Sequence, residues 1–267
     1  MSHKPDEPAV AGTVDTQRRR FMLGASALPV VAGAGLSTTL ALGSAPARAA
    51  LQTSARIVIA GSGLGGLAIA NRLARELDGA RITVIDRKEI HNYQPGYTLV
   101  ATGIWPVSKV SDRNADLMPA KAQWVHEMVA EFDPEANAVV TDGGTRIEYD
   151  YLIVATGLYP DFDQIEGMDL AAIGSNGLTS VYPSPAAAEA TWRTMDSFRQ
   201  KGGQALMTLP ATALKCAGAP LKMTFMLADR LTQAGTRDAS KIDFHSALGN
   251  IFSVPVINEE VLRRWVK

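Results

Sequence analysis

The run Arg56-Ile57-Val58-Ile59-Ala60-Gly61-Ser62-Gly63-Leu64-Gly65-Gly66 decides the fold. Its first half is a short β-branched stretch of the kind that forms a strand buried on both faces. It leads directly into the spacing G-x-G-x-x-G. Leu67, Ile69, Ala70, Leu73, Ala74 and Leu77 then recur at helical spacing, and Gly79 is placed to cap the helix. A second strand-like run, Arg81-Ile82-Thr83-Val84-Ile85, ends in Asp86, 20 residues after Gly66. Strand, glycines, helix, strand and acid in this order form a dinucleotide-binding fingerprint. Gly61 permits the tight turn, Gly63 lets the backbone approach a pyrophosphate, and Gly66 lets helix and strand pack closely. The helix start offers unpaired N–H groups and a positive dipole to phosphate. Asp86 suits a ribose 2′-hydroxyl and opposes a 2′-phosphate, although Arg87 beside it weakens that opposition.

Further along, 129–140 reads as strand, turn at Asp133-Pro134-Glu135-Ala136-Asn137, and strand, followed by the tight turn Asp142-Gly143-Gly144. The next segment runs from Ile147 through Tyr149-Asp150-Tyr151-Leu152-Ile153-Val154-Ala155-Thr156-Gly157. By residues alone it is a buried strand ending in a glycine turn. Its last nine residues also resemble the second signature of the two-dinucleotide-binding-domain flavoproteins. That resemblance implies FAD at the first site, with Ala155, Thr156 and Gly157 lying against it alongside Gly61, Gly63, Gly65, Gly66, Asp86 and Arg87.

Two other segments narrow the resemblance. They are His91-Asn92-Tyr93-Gln94-Pro95-Gly96-Tyr97-Thr98-Leu99-Val100-Ala101-Thr102-Gly103 and Leu209-Pro210-Ala211-Thr212-Ala213-Leu214-Lys215-Cys216-Ala217-Gly218-Ala219-Pro220-Leu221-Lys222. Both resemble sulfide:quinone oxidoreductase of the mitochondrial-like type. The resemblance implies that Pro95 passes the flavin and that Cys216 is one of two redox thiols. It implies sulfide as substrate, with quinone as acceptor or, in the related flavocytochrome c sulfide dehydrogenases, a cytochrome c. Residues 89–103 hold no cysteine, so the FAD is expected to be non-covalent. Gln204–Leu209 reads as a strand with no G-x-G-x-x-G after it, unlike the nicotinamide-dependent relatives. The local chemistry agrees with a working thiol. Pro220 suits the first turn of a helix, so Cys216 would lie just ahead of a helix N-terminus with Lys215 and Lys222 close in sequence, which favours thiolate. Without the resemblance, a buried packing cysteine is an equal reading.

The expected architecture is therefore α/β. A Rossmann-like FAD-binding domain over 50–175 is followed by a crossover over 176–201 and a partial second Rossmann-like domain over 202–267. The middle of that second domain carries strand-like Lys241–His245 and helix-like Asn258–Lys267. Against the family, the chain is expected to be incomplete at its C-terminus. It would then lack the second redox cysteine and the elements that reach quinone and membrane, and apolar surface would be left uncovered. A non-catalytic remnant is thus a third reading beside the two sulfide oxidisers.

Composition sets the outer limits. The 267 residues are 46% apolar and 20% charged, with 26 Lys plus Arg against 27 Asp plus Glu. This is globular composition with no global charge for nucleic acid. Cys216 is the single cysteine, which excludes an internal disulfide and a multi-cysteine zinc site. His3, His91, His126 and His245 show no metal-ligand spacing, and His91 reads equally as near the flavin or as a surface turn. Asp142 and Asp150 read as turn and strand-entry residues, and Trp192, Phe198, Met223, Phe225 and Met226 as core. Residues 1–49 combine Arg18-Arg19-Arg20, an apolar stretch from Phe21 to Leu42 and Ala47-Arg48-Ala49. That is the layout of a secretory signal, and the arginine run resembles a twin-arginine signal. Glycine, serine and threonine make the stretch too weakly apolar for an anchor. The expected address is the periplasm.

Overall fold

The structure is a computed structural model that describes residues 49–212, 216 and 218–265. The signal-like segment falls outside the described residues apart from Ala49, and so do Lys215 and the last two residues.

The fingerprint region folds as β1 (Arg56–Ala60), α1 (Leu64–Glu76) and β2 (Arg81–Ile85). β5 (Ala122–Val125) and β9 (Tyr151–Val154) flank them, and the order β9-β1-β2-β5 is parallel throughout. Register explains the alternation of the core. Ile57, Ile59, Ile82 and Val84 face α1 and meet its Ala70 and Ala74. Val58 and Ile85 point the other way, onto Val139 and Tyr149. Ile59 is completely buried; a side chain of that size contributes about 1.5–3 kcal/mol on leaving water.

The second face is covered by an antiparallel sheet of β6 (Val129–Asp133), β7 (Ala138–Thr141) and β8 (Arg146–Glu148), in the order β8-β7-β6. The single strand expected over 147–154 is therefore two. β8 pairs with β7, the chain turns at Tyr149-Asp150, and β9 then joins β1. Arg56 makes that turn hold. Its N–H and guanidinium reach Asp150 at 2.7 and 2.9 Å, and its Nη1 reaches Glu148 at 2.6 Å. Asp150 and Asp142 are structural, as expected; Asp142 accepts from the N–H of Met128. Gly79 is not the helix cap. α1 ends at Glu76, Leu77–Asp78 pairs with Leu51–Gln52, and Gly79 (φ +85) turns the chain into β2.

Between β2 and β5 lie a hairpin and two short helices. β3 (Ile90–Asn92) pairs antiparallel with β4 (Ser111–Arg113). α2 (Tyr97–Val100) lies inside this excursion and α3 (Asn114–Leu117) follows it. The crossover is α4 (Pro185–Lys201), capped by Ser184, whose hydroxyl accepts from the N–H of Ala187. β10 (Gly203–Leu209), α5 (Ala219–Ala234) and β11 (Ser240–Ser246) then form a parallel β-α-β unit, and α6 (Pro255–Trp265) follows. Tyr97, Val100, Ala188, Met195, Met223, Leu227 and Leu231 share one core cluster, which joins α2, α4 and α5. Met223 is buried there while Phe225 is 37% exposed, so the apolar run of α5 splits between core and surface. Among the described residues no helix is long and apolar enough to cross a membrane.

Candidate functional site

Parallel strands place the ends of β1, β2, β5 and β9 along one edge of the sheet, where ligands of open α/β folds bind. Three ladder bonds set the geometry. Gly61 N–H donates to Ile85 O at 2.9 Å, Asp86 N–H to Val125 O at 3.1 Å and Ala155 N–H to Ala60 O at 2.8 Å. The glycine loop, Asp86 and the Ala155-Thr156-Gly157 turn are thereby side by side.

The four glycines divide into two kinds. Gly61 has φ +105, and a Cβ there would lie 2.4 Å from Ala155 O. A Cβ on Gly66 would lie 1.8 Å from Gly61 O. Both positions are closed by backbone, so the loop itself requires glycine. At Gly63 and Gly65 a Cβ would meet nothing within 4 Å. These two line open space at the start of α1, whose cap residue Gly63 makes no side-chain capping bond. The first-turn N–H groups therefore lack intrahelical partners. This cradle fits a pyrophosphate: open backbone donors, no side chain in the way, and a helix dipole behind them. Gly157 (φ +74) closes the neighbouring turn, and Thr156 is exposed beside it.

Asp86 is only 8% exposed and is already engaged. Its Oδ2 accepts from the N–H and hydroxyl of Ser62 at 2.7 and 3.0 Å, and its Oδ1 from Lys88 N–H at 2.8 Å. A carboxylate offers about four acceptor sites, so roughly one remains for a ribose hydroxyl. Arg87 turns away and pairs with Asp142 on the antiparallel sheet. Trp124 closes the outer end: its indole N–H donates to Asp86 O at 2.7 Å and its ring stacks on His126, centroids 3.9 Å apart.

Pro95 is exposed in a single 3-10 turn, Gln94–Gly96, just before α2. A cavity of about 530 Å³ lies between Leu64 and Leu67 of α1 and His91, Tyr93 and Lys109 of the hairpin region. His91 is buried on β3 and is no surface turn. Cys216 is exposed in the turn ahead of α5, which removes the packing-cysteine reading. Its carbonyl accepts from Ala219 N–H at 2.8 Å, and Pro220 stands in the first turn of α5. Tyr182 lies just before α4. Its ring stacks on Tyr97 at 6.2 Å. Burial raises its hydroxyl pKa above the usual tyrosine value, and charge at Cys216 adds to the rise. Burial alone does the same to Tyr97.

Ser62, Asn114 and Tyr182 were not singled out by the sequence reading. Ser62 occupies a variable place in the fingerprint. Asn114 meets Ser62 across 52 residues of chain, and Tyr182 sits in a loop without periodicity.

The chain matches the family described as pyridine nucleotide-disulphide oxidoreductase over residues 55–198. It is 37% identical over 234 residues to the mitochondrial sulfide:quinone oxidoreductase of Dictyostelium discoideum, covering 87% of this chain and 51% of that one. It is 35% identical over 202 residues to the mouse mitochondrial sulfide:quinone oxidoreductase, covering 74% and 43%. The chain thus spans about half the length of the curated relatives it matches. In fold it is similar to the sulfide:quinone oxidoreductase of Aquifex aeolicus, with TM-score 0.61, 22% identity, and coverage of 81% of this chain and 49% of that structure.

Proposed function

Since this chain belongs to the pyridine nucleotide-disulphide oxidoreductase family, we propose that it builds the FAD site and the sulfur-handling thiol of a sulfide:quinone oxidoreductase. The observation that carries the reading is the placement of Cys216: an exposed thiol stands before a helix start. The glycine loop lies at the strand ends of the same unit.

Gly63 and Gly65 would hold the pyrophosphate of FAD on open N–H groups, Asp86 and Ser62 keep the loop in place, and Ala155-Thr156-Gly157 would lie against the cofactor. FAD, when bound, supplies a two-electron acceptor. Joining the sulfur of sulfide to the Cys216 thiol as a persulfide releases two electrons and two protons, and bound FAD would be the acceptor of the electron pair. The relatives' names favour quinone over cytochrome c as final acceptor. The periplasmic address rests on residues 18–49 alone, since the Dictyostelium and mouse relatives are mitochondrial. Replacing Arg18, Arg19 and Arg20 by Lys is expected to keep the chain in the bacterial cytoplasm, read by fractionation; unaltered export would overturn that address.

The central test is anaerobic. The 267-residue chain is loaded with FAD, sulfide is added, and flavin absorbance is followed. Bleaching by wild type and none by Cys216→Ser is the expected result. Equal bleaching by both would remove Cys216 from the reaction, and a chain that takes up no FAD would remove the cofactor.

A further inference from the structure

We infer that Asn114 is a positioning residue for the cofactor loop, acting through Ser62 and Asp86 rather than by touching the ligand. The inference rests on the FAD reading above.

Three polar side chains from distant parts of the chain meet under the glycine loop and are withdrawn from water. Ser62 is 1% exposed, Asp86 8% and Asn114 0%. Their bonding order is forced. The single hydrogen of the Ser62 hydroxyl goes to Asp86 Oδ2, which has no hydrogen to offer as a carboxylate. Ser62 Oγ can then only accept from Asn114, so the amide nitrogen must face it, at 2.8 Å. The same nitrogen donates to Lys88 O, and Asn114 N–H donates to Glu89 O at 2.8 Å. Asp86 in turn holds the Ser62 N–H at 2.7 Å. The peptide that opens into Gly63 is thus fixed from both its side chain and its backbone, and with it the direction of the N–H groups that follow.

The cost of this arrangement shows where its purpose lies. Asn114 Oδ1 is buried with no hydrogen-bond partner, a loss of about 1–3 kcal/mol for an orphaned acceptor. Leucine, which shares the branching of asparagine though it is bulkier, would carry no such penalty. Packing therefore does not call for asparagine; its nitrogen does, because a dry, charge-bearing pair above it would otherwise lack a donor. The Asn114 amide of the short helix α3 is the last member of a relay that runs from Lys88 O to the phosphate cradle.

The test separates positioning from mere stability. Asn114→Leu, Ser62→Ala and the double variant are made in the 267-residue chain. For each, the melting temperature without cofactor and the FAD dissociation constant are measured, the latter by flavin fluorescence. Asn114→Leu is expected to weaken FAD about tenfold, a loss larger than its change in melting temperature accounts for. Ser62→Ala is expected to match it, and the double variant to be no weaker than either, because all three cut one relay. Unchanged FAD affinity in the two single variants would overturn the inference, and so would a loss that only tracks a fallen melting temperature. Should Asn114→Leu fail to fold, Ser62→Ala decides by the same two readings. A wild-type chain that takes up no FAD would instead overturn the cofactor reading on which this rests.

Discussion

At the residue scale the glycines make the sharpest claims, because position by position they answer to different constraints. Gly66→Ala places a methyl group 1.8 Å from Gly61 O, a clash with backbone that no rotamer relieves. The expected outcome is a melting transition lost or lowered by several degrees, consistent with a penalty of about 2 kcal/mol or more. Gly63→Ala adds its methyl group to open space. It is expected to leave the melting temperature unchanged while weakening FAD, since the methyl group intrudes only where the pyrophosphate lies. Thermal unfolding and flavin fluorescence on the same two proteins check both halves; a Gly63→Ala chain that binds FAD normally would dissociate the open side of the loop from the ligand. This division was half legible in the sequence. Spacing identified which glycines matter and gave Gly61 and Gly66 their structural roles. The engagement of Asp86 was not legible, because a fingerprint reports which residue ends β2 and not what fills its carboxylate. Ser62 stands between two glycines and Asn114 lies far downstream, so their meeting is a product of topology alone.

At the element scale the join of β1 to β9 is held by charge as well as by ladder bonds. The Arg56 guanidinium and N–H keep the Asp150 carboxyl below the ordinary value of 3.8. A carboxyl with a depressed folded-state pKa contributes stability that is present above its unfolded pKa and is lost as pH falls through the folded one. Both groups are solvent-exposed, so the contribution is small, but its sign is definite. Between pH 5 and pH 3 the wild-type melting temperature is expected to drop further than that of Asp150→Asn, which has no carboxyl to protonate. Parallel slopes would show that the pair does not report on the join. The helix cap of α4 makes an independent case: Ser184→Ala removes the acceptor for Ala187 N–H and is expected to cost about 1 kcal/mol, read by denaturant midpoint. Elements were the most legible scale. Pattern and turn residues located α1, β2, the hairpin around 133–137, β10 and the helix after Cys216. It failed where one continuous apolar run serves two sheets. Ile147 to Val154 reads as a single strand because both of its partners bury apolar side chains, and only pairing shows that the chain turns at Tyr149-Asp150.

At the scale of the whole molecule the parallel sheet ends in two edge strands, β9 and β5. β9 pairs with β1 and has no second strand partner among the described residues. Its middle residues Leu152 and Ile153 pack on the core, but its two end residues are exposed, one on each face. Tyr151, on the α1 side, is 63% exposed, and Val154, on the opposite side, is 60% exposed. Leu158 and Tyr159, in the turn beyond, are 55% and 81% exposed. A parallel edge with free backbone groups and apolar flanks is a template for pairing with another strand. Native sheets protect such edges with charge, a bulge or a covering element, and none of these stands on β9 among the described residues. Purified alone, the 267-residue chain is therefore expected to self-associate at concentrations on the order of tens of micromolar. Val154→Lys is the discriminating change. It leaves the β1–β9 ladder intact, because only a side chain on the exposed face is altered, and it sets a charge on the free edge. Sedimentation velocity should show the larger species dissolving into monomer in this variant, with the circular dichroism spectrum unchanged. A distribution identical to wild type would place the contact elsewhere and would mean that the open edge is protected by something other than the residues on it.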